Sequence, residues 1–120
     1  MDITSKSTGF LIDELITAGF KVEVSPTTAN IQRMRLLDAS VRLRLNGRED
    51  DIFLQVTKLK IVSRQCWQAQ EGVMKGRDVT AIANAAVQAQ HTNAQRNKLI
   101  REIDTILGES DVSVLEKTYQ

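Results

Sequence analysis

The sequence has few of the residues that build disulfides, metal centres and phosphate-binding loops. Cys66 is the sole cysteine and His91 the sole histidine, so an internal disulfide is excluded and a structural zinc site is disfavoured. A lone thiol is typical of a reducing compartment. The glycines are scattered and form no glycine-rich phosphate loop. Paired acidic helix motifs that hold magnesium are also missing, so we predict no catalytic residues, no metal and no cofactor.

Charge and hydropathy disfavour two further classes of partner. Sixteen basic and fifteen acidic residues leave a net charge of +1, which gives no overall field that attracts nucleic acid or anionic membranes. No apolar run reaches membrane-spanning length, and the N-terminus lacks the apolar core of a signal peptide. We therefore expect a cytoplasmic protein with no membrane partner and no general nucleic acid binding. Residues 1–120 are expected to form a single domain that oligomerisation would help to stabilise.

The strongest helical pattern runs from Asp78 to Gly108. Asp78 is a good N-cap, and Gly108 stands where a left-handed C-cap is expected. Such a helix would be about 45 Å long, which is more than a small core covers, so part of it is expected to pack against another subunit. A second helical pattern ends at Gly76. Together they predict a long antiparallel helix hairpin at 57–108, followed by a tail at 109–120.

The first half of the chain carries a different pattern. Apolar residues alternate at 20–24, 41–45 and 52–56, as is typical of strands, and the last two segments flank an Asn-Gly turn signal. We therefore predict a helix-dominated α+β fold. A short N-terminal helix ends near Gly19, a small antiparallel β-sheet or hairpin lies within a β-rich excursion at about 20–56, and the long helix hairpin follows.

An all-α four-helix bundle is the alternative interpretation of the same region. It makes 28–45 and 50–75 two helices, with Gly47 as the C-cap of the first. The apolar residues of the first of these segments also fit helical spacing, so the two interpretations stay open at this point. The residues that fit are Met34, Leu37, Val41 and Leu45.

The best candidate for a site lies where Asn93 and Arg96 interrupt the apolar stripe of the last helix. On a structural interpretation, the Asn fixes the register between helices and the Arg pairs with a carboxylate while its stem packs. On a functional interpretation, an Arg fork beside an amide binds phosphate or carboxylate oxygens, and a nearby aromatic ring stacks on the ligand. The predicted ligand-binding residues are Trp67, Gln70, Asn93, Arg96, Asn97 and Arg101.

Three segments resemble a family of small bacterial and phage-encoded helical-hairpin proteins that has no assigned activity. The segments are Thr8–Leu15, Cys66–Glu71 and Thr92–Asp104, which cover roughly a quarter of the chain. In that family the first two segments lie close together on one helix, so the resemblance implies an insertion at about 18–60. A looser similarity links the chain to phage nucleotide-sponge proteins, whose oligomeric helical hairpins sequester cyclic nucleotide signals. It rests on small size and on a long-helix hairpin with Arg and Asn on its inner face.

These observations predict a non-enzymatic homo-oligomer that holds a small anionic or nucleotide ligand in a pocket between helices, as in phage counter-defence. The alternative is a protein–protein interaction or adaptor module with no small-molecule ligand. A third hypothesis is an enzyme that uses Glu71 or Asp13 together with Arg96.

Overall fold

The computed structural model describes residues 5–109, and its regular elements in this range are all helical. The α+β prediction is therefore wrong, and the all-α alternative agrees with the structure. The predicted tail lies outside the described residues except for Glu109. The helices are α1 (Thr8–Val24), α2 (Thr28–Leu45), α3 (Phe53–Lys75) and α4 (Val79–Ile106), and a 3-10 turn (Glu49–Ile52) precedes α3.

Helix α1 continues past Gly19 to Val24, so the predicted strand at 20–24 is wrong. Phe20 lies one helical turn after Ile16, and both side chains are buried in the same core. An alternation over so few positions fits a helical period as well as a strand period. The two side chains pack into the same core at helical spacing, and this packing favours the helix over the strand.

The predicted β-hairpin is also wrong. A strand would place Val41, Leu43 and Leu45 on one face, but Leu43 is 82% exposed whereas the other two are each 5% exposed. Val41 and Leu45 are one helical turn apart, and both pack into the core. The turn signal ends a helix instead, because Asn46 and Gly47 have left-handed φ angles of 48° and 87°.

The predicted C-terminal helix hairpin is confirmed. Asp78 caps α4 by accepting a hydrogen bond from the Ala81 N–H at 2.8 Å, and Gly108 has a φ of 80°. The connection to α3 lies at Gly76, as predicted. No residue from 70 to 91 is buried, so this part of the hairpin extends beyond the core; we call residues 70–91 the hairpin tip.

Helix α1 lies at the centre of the fold. It packs against α2 on one side and against α3 and α4 on the other, and α3 packs along the length of α4. Helix α2, by contrast, packs along α1 and makes no comparable contact with α3 or α4. The most deeply buried apolar side chains come from all four helices and the 3-10 turn, and they are Leu11, Leu37, Ile52, Leu59 and Ile103.

The first turn of α1 is capped by side chains from α4 and its end. The Gly9 N–H donates to Asp104 Oδ1 at 2.8 Å, and the Thr8 N–H donates to Glu109 Oε1 at 3.1 Å. A Cβ at Gly9 would lie only 2.6 Å from the carbonyl oxygen of Ile100. Glycine therefore allows the backbones of α1 and α4 to approach closely here.

We expect Gly9→Ala to lower the free energy of unfolding by about 2 kcal/mol or more, because the new methyl group must separate α1 from α4. The matched control is Gly19→Ala, since a Cβ at Gly19 meets nothing within 4 Å. That change should be neutral or stabilise the helix by up to about 1 kcal/mol. Urea unfolding measures both, and equal stability of the two variants would contradict the close approach.

Candidate functional site

Arg96 forms a two-pronged ion pair with Asp13 of α1. Its Nε donates to Asp13 Oδ1 at 3.1 Å and its Nη2 donates to Asp13 Oδ2 at 2.5 Å. The Asp13 side chain is 7% exposed and the Arg96 side chain 21% exposed, so water screens the pair only weakly. This geometry is the planar fork contact for which arginine is suited.

Side chains of α3 and α4 surround this ion pair. The Ser63 Oγ donates to Asp13 Oδ1 at 3.4 Å, while Arg96 Nη1 lies 3.6 Å from Cys66 Sγ and 3.5 Å from Asn93 Oδ1. Burial alone would lower the pKa of the Arg96 guanidinium, but its hydrogen bond to Asp13, the charge of Asp13 and the contact with Cys66 together raise that pKa above its ordinary value. The polar cluster therefore joins α1, α3 and α4 around a charged arginine.

This arrangement corresponds to the structural interpretation of Arg96. The Arg96 guanidinium is already bound to the Asp13 carboxylate, so an anionic ligand would have to displace Asp13 to bind there. Asn93 contacts Arg96 through its Oδ1 atom and is otherwise exposed. The chemistry that the cluster performs as it stands is to hold three helices in one register.

Gln70 contacts the cluster through Cys66, whereas Trp67 packs against a different neighbour. The Trp67 ring packs edge-on against the Phe20 ring, with centroids 5.9 Å apart, and Trp67 is partly buried against the core. Gln70 is exposed, and its Nε2 lies 3.6 Å from Cys66 Sγ. Trp67 therefore stabilises the contact between α1 and α3.

Asn97 and Arg101 lie apart from the other predicted residues. Both are exposed, and Asn97 is turned by about 100° around α4 from Arg96. Arg101 lines a shallow depression of about 380 Å³ with Lys98 and Glu102. The structure therefore brings Gln70 and Arg96 to Cys66 and Asn93 to Arg96. Trp67 packs on Phe20 instead, and Asn97 and Arg101 face solvent on another side of α4.

A larger feature, which the sequence analysis missed, is an apolar groove of about 1130 Å³ between α2 and α3. Helix α1 forms its floor, because the walls diverge from the 3-10 turn without packing against each other. We call it the α2–α3 groove. Its apolar lining residues are Ile12, Leu15, Ile16, Phe20, Met34, Val41, Leu45, Ile52, Phe53, Val56 and Ile61.

Two large apolar side chains of the groove wall are open to solvent. Phe53 is 71% exposed and Ile61 is 57% exposed, and both belong to α3. Leu54, beside Phe53, is exposed as well. Exposed apolar patches of this kind mark surfaces that bind another molecule. The helical spacing of the α2 residues could have predicted one wall of the groove. The predicted strands in this region, however, excluded a groove between two helices.

Charged residues of both signs line the rim of the groove. Two pairs are satisfied internally: Arg64 binds Glu23 at 2.8 Å, and Arg42 binds Asp38 at 3.0 Å. The three remaining charges are exposed and form no ion pair within residues 5–109. They are Arg35 on α2, Lys60 on α3 and Glu49 at the connection between them.

Residues 5–109 contain neither a metal-binding cluster nor a membrane-spanning helix. No cluster of three or more His, Cys, Asp or Glu side chains is placed to hold a metal ion. No helix in the same range has the combination of length and apolarity that crossing a bilayer requires.

The ion pair between Asp13 and Arg96 should be energetically coupled in a double-mutant cycle. We expect Arg96→Gln to lower the free energy of unfolding by about 3 kcal/mol, because it leaves the Asp13 carboxylate buried without its partner. Adding Asp13→Asn should recover part of this loss, with a coupling energy of about 2 kcal/mol. The exposed pair of Arg64 and Glu23 is the control, with an expected coupling below about 1 kcal/mol. Equal coupling in urea unfolding of the two cycles would contradict a structural role for the cluster.

The comparisons with known proteins return no relative. No family model, no curated protein and no solved structure matches the chain. The resemblance to helical-hairpin families therefore stays a prediction. The polar cluster and the α2–α3 groove are the features of the molecule that bear on its function.

Proposed function

We propose that this protein is a non-enzymatic interaction module that binds an amphipathic helix of a partner protein in the α2–α3 groove. The observation that carries the proposal is the groove itself, with apolar side chains on its floor and on both walls. Helix-in-groove binding is a common way in which helical proteins recognise a partner segment. The groove occupies the position between α2 and α3 that a further helix would fill.

The length of the groove fits a short helix. Its lining residues run from Met34 to Leu45 on α2 and from Phe53 to Gln65 on α3. At 1.5 Å per residue each of these walls is about 18 Å long. About 12–14 residues of a bound helix would therefore lie along the groove. Typical small-molecule sites are more enclosed and have volumes of about 300–1,000 Å³.

Burial of the exposed wall residues supplies a driving force for binding. Phe53 and Ile61 lose most of their solvent contact when a helix lies in the groove, and each fully buried side chain of this size contributes about 1.5–3 kcal/mol. The floor is already packed, because Ile12 and Ile16 are buried in the core. The groove is therefore largely formed before binding, which limits the entropic cost of association.

The predicted homo-oligomer is also part of our proposal, with the hairpin tip as the contact between copies. The charged residues of the tip, Glu71, Lys75, Arg77 and Asp78, all precede α4, and the α4 part of the tip, residues 79–91, contains no Asp, Glu, Lys or Arg. Val79 and Val87 are large apolar residues of this α4 part that are exposed. A helix face without Asp, Glu, Lys or Arg does not select an oppositely charged partner, and it can meet its own copy around a two-fold axis without repulsion.

A small anionic or nucleotide ligand, as in phage counter-defence, stays a separate prediction. It requires Arg96 to exchange Asp13 for the ligand, whereas Asn97 and Arg101 are exposed on another side of α4. A cytoplasmic location likewise stays a prediction, based on the lone cysteine. The interaction module does not depend on either.

Variants of the exposed groove wall should separate binding from folding. The probe is a designed 14-residue amphipathic helix with a Leu face and Gln at all flanking positions, titrated into the labelled protein and followed by NMR. We expect shift changes to cluster at the groove, and Phe53→Ser with Ile61→Ser to weaken binding at least about tenfold. Leu43→Ser is the matched control, because Leu43 is exposed but does not line the groove.

Four outcomes would contradict this proposal. The first is that no peptide binds, and the second is that Leu43→Ser weakens binding as much as the groove variants do. The third is that oleate, but no helix, occupies the groove, which would make it a site for small amphiphiles. The fourth is self-association that Phe53→Ser abolishes, which would assign the groove to a second copy of this chain.

Self-association through the hairpin tip has its own test. We expect Val87→Lys to raise the dissociation constant of the oligomer at least about tenfold, because a lysine in the contact must lose its hydration. Val24→Lys is the matched control, since Val24 is also exposed but lies at the end of α1, outside the tip. Sedimentation velocity measures both, and a wild-type protein that stays monomeric at about 100 μM, where even weak contacts begin to associate, would overturn the proposal.

A further inference from the structure

The charges on the rim of the α2–α3 groove indicate which helices it accepts. Four basic and three acidic side chains line it, but Arg64 and Arg42 are each bound to an acidic neighbour. The charges that stay available to a ligand are Arg35, Lys60 and Glu49. Two of these three are positive, and they lie on opposite walls of the groove, one on α2 and the other on α3.

These charges are also separated along the groove. Glu49 lies in the 3-10 turn that connects the two walls, at the closed end of the groove. Arg35 is ten residues before the end of α2, and Lys60 is seven residues after the start of α3. At 1.5 Å per residue both cations lie about 10–15 Å from the closed end. The groove is therefore negative at its closed end and positive towards its open end.

A helix in the groove would experience this gradient through its own dipole. The N-terminus of a helix carries partial positive charge and its C-terminus partial negative charge. The N-terminus is therefore favoured beside Glu49, and the C-terminal half is favoured between Arg35 and Lys60. Acidic side chains that flank the apolar face in that half would add two ion pairs with the walls.

We propose that the α2–α3 groove selects an amphipathic helix with acidic residues beside its apolar face in its C-terminal half, bound with its N-terminus at the Glu49 end. This inference rests on the proposed function, because it names the partner chemistry of the same groove. The Arg35 and Lys60 side chains act as selectivity residues: they distinguish helices by charge, while the apolar walls provide most of the affinity.

The test compares four 14-residue peptides with the same Leu face, a length at which the C-terminal half begins about 10–12 Å from the N-terminus, at the level of Arg35 and Lys60. One carries two Glu residues at flanking positions of its C-terminal half, one carries them in its N-terminal half, one carries two Lys residues in the C-terminal half, and one has Gln throughout. The first should bind about 5- to 10-fold more tightly than the Lys peptide at low salt, with a smaller ratio at 0.5 M salt. It should also bind more tightly than the peptide with Glu in the N-terminal half, although that peptide is the more stable free helix.

The double variant Arg35→Gln, Lys60→Gln should remove the preference for the first peptide. Lys58→Gln with Lys98→Gln is the matched control, because it changes the net charge equally at residues that do not line the groove. A spin label on the N-terminus of the first peptide should broaden the amide signals near Glu49 rather than those near Arg35.

The two proposals fail in different ways. If none of the four peptides binds, the groove is not a helix-binding site and the proposed function is overturned. If all four bind with equal affinity, or if the preference survives in the Arg35 and Lys60 double variant, helix binding stands and charge selection is overturned. Broadening near Arg35 by the N-terminal label would overturn the proposed direction.

Discussion

The contact between α1 and α4 is the constraint on which the rest of this fold depends. Two polar contacts fix the position of α1 on α4. The Gly9 N–H donates to Asp104 in the first turn of α1, and Asp13 binds Arg96 one turn later. These pairs follow opposite directions along the two helices, so α1 and α4 run antiparallel. The backbone approach at Gly9 sets their distance, and the fork of Arg96 sets their register. Apolar burial supplies most of the stability, while these polar contacts select one arrangement of the helices.

The position of α1 in turn determines the α2–α3 groove. Helix α2 packs on α1 and has little other support, whereas α3 is supported along its length by α4. The two walls of the groove are therefore held by different parts of the structure, and α1 connects them as the floor. A conventional four-helix bundle places its helices around one closed core. Here α4 packs against both α1 and α3 on the side away from the groove, which leaves one side of the first three helices available to a ligand.

The helices that could be predicted from the sequence are those whose ends are marked by local capping residues. Asp78, Gly76 and Gly108 mark the ends of the hairpin helices through local capping chemistry, and the structure confirms them. The strand predictions were wrong because short alternations fit both periods, and only burial decides between them. The candidate site was harder to predict. Arg96 meets Asp13 across 83 positions of sequence, and no local pattern indicates which of the acidic residues it binds.

The polar cluster and the groove share α1, since Asp13 belongs to the cluster while Ile12 and Ile16 line the groove. An anion that takes Arg96 from Asp13 must leave a buried carboxylate without its partner, at a cost of about 3–5 kcal/mol. That cost would weaken the apparent affinity of the anion by a factor of roughly 10²–10⁴ compared with a free arginine fork. The same displacement would release one of the two contacts that hold α1, the floor of the groove, on α4. If the groove binds a helix only with α1 in this position, the two kinds of ligand would oppose each other, because each would favour a different position of α1.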